Sequence, residues 1–171
     1  MNSKHILENQ RAAAIAQLPS ELQEVVFSKI TQFTDLIAGD DGLMKRVKPL
    51  LDHIAKALAV SDFLTHIILK EPQEALEWLE SSRFQAVKPL TRAALQNELR
   101  AELLNTEQEE ALAKSLRQFR RKHMFAIVFR DLVLREAFEM TAKEVSWLAE
   151  VCIDEALTWL DQKLADQFGC P

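Results

Sequence analysis

Between Lys114 and Arg135 the chain sets seven Lys/Arg against a single acid, Asp131. At about 100° per residue, Arg117, Arg120, Arg121, Met124, Val128, Asp131 and Arg135 fall within a quarter to a third of a helix circumference. Three guanidiniums in just over one turn can clamp a phosphate or carboxylate, because Arg offers planar, bidentate donors that are not neutralised. The same residues have a structural reading. Arg120 and Arg130 flank an apolar segment and would then need acids such as Asp62, Glu98 or Glu102, since an unpaired buried charge costs several kcal/mol. Asp131 reads as an ion-pair partner for Arg135 at i,i+4. As a catalytic base it would need a nucleophile and a metal or second carboxylate nearby, and its local sequence has neither.

Other chemistries find few residues. The three glycines, Gly39, Gly42 and Gly169, form no G-G or G-x-G arrangement that could cradle a triphosphate. There is no Asp-x-Asp pair to hold two metal ions for phosphoryl transfer. His5, His53, His66 and His123 lack ligand spacing, so no metal or cofactor is expected in this chain. Asp62 and His66 stand at i,i+4 and read as a surface or capping contact. His123 falls on an apolar stripe and reads as a hydrogen-bonded core residue. Gly39-Asp40-Asp41-Gly42 lacks the ligand alternation of a calcium loop and reads as a turn. Glu71, Glu74, Glu77 and Glu80 read as a solvated acidic face around the anchor residues Leu76, Trp78 and Leu79.

The elements that must carry these residues are helices. Glycine and proline are scarce, tyrosine is absent, and apolar residues recur at three- and four-residue intervals. The expected order starts with a helix over 21–38, with Ser20 as N-cap and Gln23 completing a capping box. A helix over 43–59 follows, kinked or restarted at Pro49. Ser61 caps a short helix to about Lys70, and Pro72 opens another that ends near Glu80. Ser81 to Leu90 reads as a connection, and Thr91 caps a helix to about Leu104. A central helix over about 107–137 carries the arginines. It is apolar on nearly every side from Met124 to Leu134, the pattern of a buried helix. Thr141 and Glu144 suggest a second capping box, opening a long C-terminal helix over about 142–168 closed by Gly169. Its apolar stripe is expected at Val145, Leu148, Cys152, Ala156, Trp159 or Leu160, and Leu164. The expected fold is all-α, an elongated multi-helix bundle forming a single helical domain over 1–171.

Composition narrows function further. The chain has 171 residues, 48% hydrophobic and 27% charged, with a net charge of −5. That is ordinary globular composition, long enough for one domain with a core. An acidic chain is a poor general nucleic-acid binder, so no nucleic-acid partner is expected. No apolar run approaches the length of a membrane span, and Met1 to Gln10 is too polar for a secretory signal. Cys152 and Cys170 are expected as reduced thiols, which with the missing signal favours the cytoplasm.

The run Leu116 to Leu132, written L-R-x-F-R-R-x-x-M-x-x-I-x-x-R-D-L, resembles the signature helix of the bacterial family of bifunctional glutamine synthetase adenylyltransferase/adenylyl-removing enzymes. Ala59-Val60-Ser61-Asp62-Phe63-Leu64, followed by Pro72, Leu76, Trp78 and Leu79, is similar to another segment of that family, and Leu160 to Pro171 resembles the helix end before its first catalytic domain. The resemblance covers residues 59–171; residues 1–58 match loosely. It implies the helical region at the amino terminus of the adenylyl-removing half. That region would be a scaffold for a downstream nucleotidyltransferase domain, whose Gly-rich loop and Ser-Asp-x-Asp carboxylates are not in this chain. It also implies ATP and Mg²⁺ for the parent enzyme, glutamine synthetase and a PII-type signalling protein as partners, and Arg117, Arg120, Arg121 and Asp131 at or near the junction with the catalytic domain. The alternative is a free-standing helical interaction module whose arginine face binds an acidic partner.

Overall fold

The computed structural model describes residues 3–81 and 91–169. The described residues are helical with short turns, as the periodicity requires: α1 Ser3–Ala16, α2 Ser20–Ile37, α3 Asp41–Val47, a 3₁₀ turn Lys48–Leu50, α4 Leu51–Val60, α5 Asp62–Lys70, α6 Pro72–Glu80, α7 Arg92–Leu103, α8 Glu109–Leu132 and α9 Phe138–Phe168. The expected connection over 82–90 lies outside the described residues, as does Cys170.

Local chemistry explains most boundaries. Ser61 Oγ accepts from the Leu64 N–H at 3.2 Å and Thr91 Oγ1 from the Ala94 N–H at 3.2 Å, each satisfying an otherwise orphaned helix donor. Pro72 occupies the first turn of α6, where its missing N–H costs nothing. Pro49 sits in the 3₁₀ turn that separates α3 from α4. Three expectations are corrected. Ser20 is the first helical residue and Pro19 the N-cap, while the Gln23 amide donates back to the Leu18 carbonyl at 2.8 Å. Gly42 lies inside α3, because Asp40 Oδ1 accepts from the Gly42 and Leu43 N–H groups at 2.8 and 3.0 Å and starts a helix within the expected turn. The last helix begins at Phe138, with Thr141 and Glu144 inside it, because Phe138, Glu139 and Met140 contain no helix breaker.

The chain divides into two compact units: Met1–Ala86 with Val128–Arg135, and Val87–Ile127 with Glu136–Pro171. In the first, Val26, Ile30, Phe33 and Ile37 of α2 repeat at four, three and four residues and are buried together with Leu51, Ile54 and Leu58 of α4 and Leu64, Ile67 and Ile68 of α5. An Arg46–Glu80 fork ties α3 to α6: Nε donates to Oε1 at 2.9 Å and Nη2 to Oε2 at 2.8 Å. That bond to Glu80 raises the Arg46 pKa above its ordinary value.

In the second unit Leu95, Leu99, Leu103, Leu112, Phe119, Ile127, Leu148 and Val151 form one apolar cluster. Partners along α7 and α9 rise together in number: Arg92 with Glu150, Gln96 and Arg100 with Glu155, and past the end of α7 Thr106 with Trp159. The two helices therefore run parallel. The buried line of α9 is Glu144, Leu148, Val151 and Glu155, with Val145, Leu160 and Leu164 exposed. The expected stripe is thus rotated. The helix carries two apolar arcs, and the packed one includes an acid, Glu155, that Arg100 and Gln96 satisfy.

Candidate functional site

The stretch Leu116 to Leu132 is helical throughout, so the arginine spacing is realised on one helix, α8. Its apolar stripe is placed as expected: Leu112, Phe119, His123 and Ile127 are buried and Leu116 packs on the cluster. His123 packs against Phe119, ring centroids 4.2 Å apart and planes tilted by 50°. Beyond it Phe125, Ala126, Phe129 and Arg130 are also buried, but Leu132 and Leu134 are exposed, so the burial expected from Met124 to Leu134 is corrected at its C-terminal end, where the helix stops at Leu132.

The arginines divide. Arg117 and Arg120 are exposed and Arg121 is half-buried. Among the described residues neither Arg117 nor Arg120 forms an ion pair. Two of the acids named for a buried Arg120 are committed elsewhere. Asp62 lies 3.4 Å from Lys29 Nζ, and Glu98 accepts from Lys122 Nζ at 3.0 Å with His123 Nε2 at 3.5 Å. Lys122 and His123 face α7, and that rotation leaves Arg117 and Arg120 in water. The structural-pair reading of Arg120 is therefore corrected; of the two arginines named for it, Arg130, 3% exposed, is the buried one.

Asp131 is half-buried and belongs to the first unit, whereas the three arginines belong to the second. The helix ends at Leu132, five residues before the expected boundary, and Arg135 lies past it at φ 58°. The helical i,i+4 register between Asp131 and Arg135 is therefore lost. Cys152 on α9 lies within the field of Arg120. Burial pushes its thiol pKa up, and the Arg120 charge opposes that rise.

A feature not singled out in the sequence is an open groove of about 570 Å³ where the end of α7 meets the last third of α9. Trp159 Nε1 donates to the Thr106 carbonyl at 2.8 Å, and Lys163 Nζ sits 4.8 Å from the indole centroid. The i,i+4 spacing of Trp159 and Lys163 is the signal that could have pointed to it. Three acids, Glu107, Glu155 and Asp166, outnumber Arg100 and Lys163 around the groove, so it is not an anion cradle.

Among the described residues no group of three or more His, Cys, Asp or Glu is placed to hold a metal ion. The Gly39–Gly42 turn does not suit a nucleotide either: the Gly42 and Leu43 N–H groups that could meet a phosphate already bond to Asp40. No helix among the described residues is long and apolar enough to cross a membrane.

The family model described as glutamate-ammonia ligase adenylyltransferase matches residues 51–171, a stretch that includes all of α8 and α9. A bifunctional glutamine synthetase adenylyltransferase/adenylyl-removing enzyme of Hahella chejuensis is 48% identical over 120 residues, 69% of this chain and 12% of the relative. The enzyme of the same name from Pseudomonas aeruginosa is 32% identical over 121 residues, 71% of this chain and 12% of the relative. That of Pseudomonas putida is 30% identical over 165 residues, 91% of this chain and 16% of the relative. The chain therefore spans 12 to 16% of the length of these curated relatives. No solved structure matches. With a helical fold, an arginine-bearing α8 and a family match over residues 51–171, the chain belongs to the glutamate-ammonia ligase adenylyltransferase family.

Proposed function

We propose that this chain is the N-terminal helical part of a bifunctional enzyme that adds AMP to glutamine synthetase and removes it, and that it supports a catalytic domain carried by other polypeptide. The observation that carries the reading is the state of Arg117 and Arg120. Both stand on the helix within the family match, exposed and outside any ion pair among the described residues. Two unneutralised guanidiniums on a rigid helix suit an acidic or phosphate-bearing face of another domain. Arg121, half-buried, borders them, and Asp131 marks the far end of the same helix.

We place ATP and Mg²⁺ outside these residues, a reading supported by the Gly42 and Leu43 N–H groups, which already bond to Asp40. In this reading they bind elsewhere in the enzyme, and no chemical step is assigned here. Glutamine synthetase as target, a PII-type protein as regulator and a cytoplasmic location belong to the same proposal. Replacing Arg117 and Arg120 together with Ala in the corresponding full-length enzyme tests it. Removal of AMP from glutamine synthetase should fall at least tenfold, about 1.4 kcal/mol, with the melting temperature unchanged. Unchanged turnover would overturn the docking role.

A further inference from the structure

The open groove at the end of α7 is charged in a way that selects its occupant. Both of its cations are engaged within the chain: Arg100 Nε donates to Glu155 at 2.9 Å, and Lys163 Nζ lies 3.3 Å from Glu109. Two of its acids are not. Glu107, just past the end of α7, and Asp166, near the end of α9, are exposed, and among the described residues neither forms an ion pair. The last carbonyls of α7 add the negative end of a helix dipole at the same place. The groove also holds a ring that takes a cation. Trp159 is fixed by the bond from Nε1 to the Thr106 carbonyl, and its indole already attracts the Lys163 ammonium, 4.8 Å from the centroid. Leu103 and Leu104 supply an apolar wall, and Leu104 is 79% exposed. Every lining residue belongs to the second unit, whose chain ends at 87, 127 and 136 lie by the start of α7, the end of α8 and the start of α9. Because Glu109 at the start of α8 meets Lys163 near the end of α9, α8 runs against α9, and these three points share the end of the unit opposite the groove. Along α9 the separation is about 30 Å.

We propose that this groove binds a basic segment of another polypeptide, an arginine set against Trp159 and the two free carboxylates, with an apolar neighbour of that arginine on Leu103 and Leu104. Charge complementarity chooses the sign. An acidic segment would meet Glu107 and Asp166 uncompensated, whereas a guanidinium stacks on an indole and accepts carboxylates through its planar N–H fork. Size and shape choose a segment over a free cation. A volume of about 570 Å³ is more than one side chain fills, and sites for small molecules enclose some 70–90% of their ligand, which an open groove does not do. A peptide needs less enclosure, because its flanking residues hold it along the rim. The site is separate from Arg117 and Arg120, whose charge calls for the opposite kind of partner.

The test follows the indole N–H signals of the 171-residue chain by NMR at low salt while an acetylated, amidated Leu-Arg-Ala-Leu-Arg peptide is added. The Trp159 signal should shift and saturate with a dissociation constant of about 0.1–1 mM, as for a short segment on a small contact, while those of Trp78 and Trp147 stay in place. Glu107→Gln with Asp166→Asn, both at exposed positions, should weaken binding about fivefold with the melting temperature unchanged. The same peptide with glutamate for arginine should not bind. A Trp159 signal that stays put up to about 5 mM peptide would overturn the proposal. So would equal binding of the glutamate peptide, or a double variant that binds as well as the wild type. Spermidine binding as tightly as the peptide would overturn the segment as occupant and leave the groove to a free cation.

Discussion

Glu155 is a buried acid whose removal should disturb the second unit. Its side chain is 6% exposed and accepts from Gln96 Nε2 at 2.7 Å and from Arg100 Nε at 2.9 and 3.0 Å. Hydrogen bonds to a charged group contribute about 1.5–3 kcal/mol when enclosed. Arg100 is 56% exposed and recovers water when its partner is lost, which puts the expected cost of Glu155→Ala at the lower part of that range, about 2 kcal/mol. For a chain of this length that corresponds to a fall in melting temperature of about 4–8 °C. Glu150→Ala is the comparator. Glu150 and its partner Arg92 are 55% and 39% exposed, so the loss should stay within about 0.5 kcal/mol. Thermal unfolding followed by tryptophan fluorescence suits the comparison, since Trp147 and Trp159 lie on the same helix as Glu155. A Glu155→Ala loss no larger than that of Glu150→Ala would refute the claim that this buried acid fixes α7 against α9.

Two further outcomes are expected. Ser61→Ala should cost about 1 kcal/mol because it removes a cap bond, whereas Ser20→Ala should cost under about 0.5 kcal/mol because Ser20 caps nothing; equal losses in thermal melts would contradict both assignments. The Cys152 thiol, raised by burial and opposed by Arg120, should reach half-maximal reactivity with a neutral thiol reagent at a higher pH in Arg120→Ala than in the wild type. A midpoint moving downward would show that Arg120 does not act on it.

What could be read from the sequence was what short-range chemistry decides. Ser61, Thr91 and Pro72 mark helix starts because a hydroxyl or a pyrrolidine ring acts within three residues. The buried stripe of α8 was legible because its apolar residues keep one period over four turns. Thr141 and Glu144 misled because a Thr-x-x-Glu spacing recurs inside helices and marks a start only where something before it ends the helix. The buried side of α9 was hidden because the helix has two apolar arcs. The partner α7 chose the arc with Glu155, whose burial depends on Arg100 more than fifty residues away. The exposure of Arg120 was hidden for a related reason: Glu98 could have served either Arg120 or Lys122, and only the rotation of α8 against α7 decides which.

The central claim is that these helices support chemistry performed by other polypeptide. The most direct measurement incubates the purified 171-residue chain with glutamine synthetase, ATP and Mg²⁺, and separately with adenylylated glutamine synthetase and phosphate, and follows AMP on the target by mass spectrometry. The account predicts no AMP added or removed by the chain alone. Turnover that scales with the concentration of this chain would contradict it.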